Sequence, residues 1–153
     1  MKKVLIAYFS FTGKAETMAQ YIAEGVRFSG QEAFVRKMDE LKNASDLAAY
    51  DGYIFGSPTF SSDLPKPVKV FLSLAQEARL EGKTGGTFGS YRHDIAYQHD
   101  SYAPAVLFDL LQKEIKMKPF DLGPLNLQED VVETMEGIKA CQDYGRVFGE
   151  KLS

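Results

Sequence analysis

Five alternations of apolar, strand-like runs with amphipathic helical stretches in 153 residues predict an α/β fold, a single doubly wound five-stranded parallel sheet with helices on both faces. Two further observations support it. Residues 4–8 are continuously apolar, as a strand covered on both faces must be, and they pass at once into Ser10-Phe11-Thr12-Gly13, a turn that opens a helix. No repeat, low-complexity tract or linker interrupts the chain, so residues 1–153 read as one domain.

The elements follow in order. After the first strand, Ala15, Met18, Ala19, Ile22, Ala23 and Val26 recur at three- and four-residue steps and predict a helix over 15–26, whose end Gly25 and Gly30 loosen. Residues 33–38 read as the second strand and 45–49 as a short helical piece. Residues 52–56 read as a third strand, ending in the loop chemistry of Ser57-Pro58-Thr59. A helix starts at Pro65, where prolines suit a first turn, with Val68, Phe71, Leu72 and Ala75 as its apolar stripe. The fourth strand spans 83–90, and its Gly85 and Gly86 imply close packing beneath the neighbouring helices. Residues 104–114 read as helix and 115–122 as the fifth strand. The last helix carries Ile138, Cys141, Gly145, Phe148 and Leu152 on one face. Cys141 there is a small buried hydrophobe; for the alternative, a reactive thiol, Lys139 is the sole local basic partner.

Composition narrows the function. With 44% hydrophobic residues the chain can bury a substantial core, and 18 basic against 21 acidic residues give a net charge of −3, without the positive field that a nucleic-acid partner needs. The longest uncharged stretch, 52–62, is far short of the ~20 residues of a membrane span. Met1-Lys2-Lys3 precedes only six apolar residues, too few for a signal peptide, and a lone cysteine cannot form an internal disulfide. The expectation is a cytoplasmic monomer.

A doubly wound sheet binds ligands at the carboxyl ends of its strands, which selects the loops after residues 9, 56 and 89. The dinucleotide pattern Gly-x-Gly-x-x-Gly is absent from the first turn. Gly82-Lys83-Thr84 resembles the tail of a triphosphate loop, yet Glu77 stands where its first glycine belongs, and the triplet precedes a strand. Ser10 and Ser57 occupy strand ends where a phosphoaccepting receiver would need carboxylates. What remains is a hydroxyl-rich loop, Ser10-Phe11-Thr12-Gly13-Lys14-Ala15, whose N–H groups and hydroxyls suit a monophosphate at a helix N-terminus; the same residues also suit a plain capping loop.

Strand-Ser-x-Thr-Gly at 10–13, Gly-Ser-Pro-Thr at 56–59 and Phe-Gly-Ser-Tyr at 88–91 together resemble the flavodoxin family over the whole chain. The second and third loops are most similar to the flavodoxin domains of flavodiiron proteins. The resemblance implies an FMN-binding protein in which Ser10, Phe11, Thr12, Gly13, Lys14 and Ala15 hold the phosphate. Ser57, Pro58, Thr59 and Phe60, with Gly89, Ser90, Tyr91 and His93, then flank the isoalloxazine, and Tyr97 joins Phe60, Tyr91 and His93 as a stacking candidate. Phe60 and Tyr97 equally fit core packing. Three departures stand out. Ala15 replaces a usual third hydroxyl, Lys14 replaces a common Asn with either a phosphate partner or a solvated side chain, and the third loop is long. Residues 91–102 hold both histidines and three tyrosines. His93-Asp94 and His99-Asp100 suggest metal ligands, but no third or fourth ligand accompanies them.

No nucleophile elbow or triad order is present, so no catalytic residue is assigned and the chemistry is the cofactor's. The resemblance implies an electron carrier serving redox partner proteins. The alternative is an NAD(P)H-dependent FMN quinone reductase, which shares these loop types, and a third reading is a flavodoxin-fold interaction module without cofactor.

Overall fold

The computed structural model describes residues 1–59, 64–92 and 102–152. Five parallel strands, β1 (Lys3–Tyr8), β2 (Glu32–Lys37), β3 (Gly52–Gly56), β4 (Thr84–Tyr91) and β5 (Lys118–Gln128), form one sheet in the order β2-β1-β3-β4-β5. Helices α1 (Lys14–Phe28) and α4 (Met135–Leu152) cover one face. Helices α2 (Lys66–Glu77) and α3 (Ala103–Lys113) cover the other. The predicted doubly wound architecture is the observed one.

The continuous apolar run of β1 is explained by its central place. Val4, Ile6 and Tyr8 face α1 and α4, Leu5 and Ala7 face α2, and all five are buried. The short helical piece is a 3-10 turn, Ala44–Leu47, fixed by Asp46, whose carboxylate accepts from the Lys42 and Asn43 N–H groups at 3.0 Å each.

Helix α1 does not loosen at Gly25. It continues to Phe28, and Gly25 is a contact point: a Cβ there would overlap the Gln142 carbonyl of α4, and one at Gly145 would overlap the Ile22 carbonyl of α1. The two helices therefore meet backbone to backbone. Cys141 lies in this interface at 0% exposure, and burial pushes its thiol up to about 12. At pH 8 it is protonated and enclosed, so a thiol reagent is expected to label it only after unfolding, at the rate of global opening; stoichiometric labelling of the native protein within minutes would contradict this placement.

The fifth strand departs from the sequence reading. It begins at Lys118, because Lys116 takes a left-handed conformation (φ 62°) and the Met117 N–H turns back to the Leu111 carbonyl at 2.9 Å. It then runs past residue 122, where the sequence reading ends it, through Gly123-Pro124 to Gln128. Among the described residues β5 is an edge strand, which tolerates a proline's missing N–H. The extra residues form a bulge: Gly85 stands opposite Pro119, but Thr87 stands opposite Pro124. Tyr144 of α4 fills the gap. Its hydroxyl accepts the Thr87 N–H at 3.2 Å and lies 2.6 Å from the Gly123 carbonyl and 3.1 Å from that of Thr87. The same hydroxyl explains Gly86, where a Cβ would come within 2.7 Å of it, as the strand-four glycines implied.

Candidate functional site

Strand order reverses between β1 and β3, and the loops after β1, β3 and β4 converge at their carboxyl ends, where such sheets bind ligands. The first loop is anchored by the Phe9 N–H, which donates to the Gly56 carbonyl at 3.0 Å, and by the Gly13 N–H, which donates to Ser10 Oγ at 2.8 Å. Gly13 sits at the N-cap of α1 with φ 87°, a left-handed conformation that strains any residue with a Cβ. It brings no side chain to the helix end, and neither Ser10 nor Thr12 caps the first turn. The N–H groups of Lys14, Ala15 and Glu16 have no acceptor within the helix and point out of its positive end. Thr12 is exposed beside them, and Ser10, having accepted from Gly13, keeps its own proton to donate. Gly13 supplies no side-chain cap, and the donor set fits a phosphate group.

Lys14 leans across the first turn to Glu133, in the segment between β5 and α4, with Nζ 3.1 Å from Oε1. Nothing in the sequence marks Glu133, which lies 119 residues away. Phe11 is 54% exposed and packs edge-on to Phe9 with ring centroids 4.8 Å apart. On the β2 side of the loop a cleft of about 320 Å3 opens toward Lys37 and Asp39. There burial and the Glu16 carboxylate hold the Tyr8 hydroxyl up at about 12.

Residues 57–59 of the second loop are bound to β4. The Ser57 N–H donates to the Phe88 carbonyl at 3.1 Å and the Thr59 N–H to that of Ser90 at 2.8 Å. Both side chains are committed internally: Ser57 Oγ donates to the Pro58 carbonyl at 3.0 Å, and Thr59 Oγ1 accepts the Ala103 N–H at the start of α3 at 2.9 Å. Ser57, Pro58 and Thr59 are all buried.

Gly89 is where the second and third loops touch. A Cβ there would overlap the Ser57 carbonyl oxygen and come 2.8 Å from Pro104. Ser90 is 1% exposed, and its Oγ has no partner among the described residues. Asn126 Oδ1 is likewise unpartnered; Asn126 stands opposite Gly89, on the part of β5 that the sequence reading cut off. Two buried polar oxygens on the neighbouring strands β4 and β5, without a partner among the described residues, fit a site completed by a polar ligand. The Tyr91 ring lies 4.6 Å from that of Tyr102, tilted by 34°. Phe60, His93 and Tyr97, with His99, lie outside the described residues. Among the described residues no cluster of three or more His, Cys, Asp or Glu could hold a metal. A larger apolar groove, about 620 Å3, runs between α2 and the segment 38–42, and none of the described residues of the three loops lines it.

The family profile described as flavodoxin matches residues 6–115. A flavodoxin of Clostridium saccharobutylicum is 35% identical, covering 99% of this chain and 95% of its own length. An NAD(P)H dehydrogenase (quinone) of Acidithiobacillus ferrooxidans is 36% identical over 59% of this chain and 57% of its own. Among solved structures, oxidised flavodoxin 1 from Bacillus cereus superposes with a TM-score of 0.83 at 28% identity, covering 99% of each chain.

Proposed function

The chain belongs to the flavodoxin family, and from that premise we propose that it binds FMN non-covalently and carries electrons between redox partner proteins as a cytoplasmic monomer. The observation that carries the reading is the first turn of α1, open at Gly13, with the N–H groups of 14–16 and the Ser10 and Thr12 hydroxyls free to face a phosphate. Bound FMN supplies the redox chemistry. The protein holds and orients it: the first loop takes the phosphate, the backbone of 57–59 and 89–91 gives the ring a rigid seat, the Ser90 hydroxyl offers it a buried hydrogen-bonding partner, and Tyr91 offers it an aromatic face. No described helix is long and apolar enough to cross a membrane.

Fluorescence titration of the apoprotein tests the reading. FMN is expected to bind at least ~10-fold more tightly than riboflavin, because a charge-assisted contact contributes about 1.5–3 kcal/mol and several converge here. Equal dissociation constants overturn it, and no binding of either flavin favours the cofactor-free module.

The similarity to a quinone dehydrogenase favours a second reading, NAD(P)H-dependent quinone reduction. It is separated by steady-state oxidation of NADH with a quinone acceptor. The carrier reading expects the FMN-loaded protein to turn over no faster than free FMN.

A further inference from the structure

Lys14 occupies the first position of α1, where a cation opposes the positive end of the helix dipole unless an anion faces it. Glu133 is that anion, 3.1 Å away. Its backbone is fixed on both sides. Val132 is fully buried, and Thr134 closes the first turn of α4, accepting the Gly137 N–H at 3.1 Å and donating to the Val131 carbonyl at 2.6 Å. A carboxylate is thus anchored at the rim of an anion site and paired with that site's only cationic side chain on the first turn. The pair is solvent-facing, with Glu133 62% and Lys14 27% exposed, so it is weak and exchangeable.

We propose that Glu133 is a resident competitor for Lys14: the ammonium is held by Glu133 while the site is empty and passes to the phosphate when FMN binds. The inference rests on the flavin reading above. A phosphate dianion also gathers the N–H groups of 14–16, which the carboxylate does not reach, so the exchange runs toward phosphate. The consequence is selectivity. Glu133 repels phosphate-bearing ligands that cannot displace it and holds FMN affinity below what the loop alone would give, while riboflavin is indifferent to it.

A double-mutant cycle in binding decides this. Glu133→Gln, Lys14→Gln and the double variant are titrated with FMN and with riboflavin, and their thermal melts, expected within a few degrees of one another, show that all four proteins are folded. Glu133→Gln is expected to tighten FMN about five-fold when Lys14 is present but no more than about two-fold in the Lys14→Gln background, because only the former includes release of the ammonium. Riboflavin should change less than about two-fold throughout. Equal factors in the two backgrounds mean that the pair stays intact on binding and overturn the exchange; so does weaker FMN binding by Glu133→Gln. If the unaltered protein binds neither flavin, the flavin reading fails separately, and the same cycle with inorganic phosphate decides the exchange by the same pattern.

Discussion

Replacing Gly145 by valine is expected to cost about 3 kcal/mol of stability, the upper end of the usual overpacking range and a large part of the about 5–15 kcal/mol a domain of this kind possesses. The new Cβ would overlap the Ile22 carbonyl and crowd the Val26 N–H, both backbone atoms of α1 that no rotamer change can move. Relief requires α1 and α4 to separate, which opens the core around Cys141, Tyr144 and Phe148 and draws the Tyr144 hydroxyl away from Thr87 and Gly123. Urea denaturation should show the loss as a lower midpoint with an unchanged slope, and the melting temperature should fall by about 10 °C or more. A loss below about 1 kcal/mol would mean that the helices do not approach at this distance.

The second large effect is expected at Gly89. An alanine there collides with the Ser57 carbonyl oxygen and with Pro104, so the second loop must leave β4 or α3 must withdraw. Either movement strains the hydrogen bonds that stitch Ser57 and Thr59 to Phe88 and Ser90. On the function proposed above, flavin affinity is expected to fall by about 30-fold or more, the equivalent of roughly 2 kcal/mol, for FMN and riboflavin alike, because the proposed seat of the ring is disturbed and the proposed phosphate loop is not. Stability should fall by about 1–3 kcal/mol in the same variant. A loss confined to FMN would place the damage at the phosphate loop and contradict this account of the seat.

How much of this could be read from the chain depends on whether a feature is periodic. The stripe of Ala15, Met18, Ala19, Ile22, Ala23 and Val26 announces α1, and the unbroken run of 4–8 announces a central strand, because burial imposes those periods directly. The first loop reads either as a phosphate site or as a capping loop, and the choice depends on where the Ser10 and Thr12 side chains point, which spacing does not encode. Gly25 reads as a weak point in a helix until Gln142 is seen against it. A fifth strand over 115–122 misses its continuation through Gly123-Pro124 to Gln128, and with it Asn126, which pairs opposite Gly89. Glu133 was out of reach altogether, since only the crossing of β5 and the turn into α4 bring it to Lys14. Spacing likewise does not show that the Ser57 and Thr59 hydroxyls bind backbone, or that their amides donate to the Phe88 and Ser90 carbonyls of β4.

The plug that Tyr144 makes in the β4–β5 bulge also has a bearing on synthesis. Strands β1 to β4 and both of their intervening helices are complete well before residue 144 is made, yet the Thr87 amide and the Gly123 carbonyl gain the Tyr144 hydroxyl only when that residue arrives. A nascent chain on the ribosome therefore carries an open-edged sheet, with the α1 side of its core uncovered, and gains its final cooperative lock only when the last helix emerges. Pausing translation ahead of residue 144 should accordingly prolong the interval in which this chain is open to proteases and chaperones.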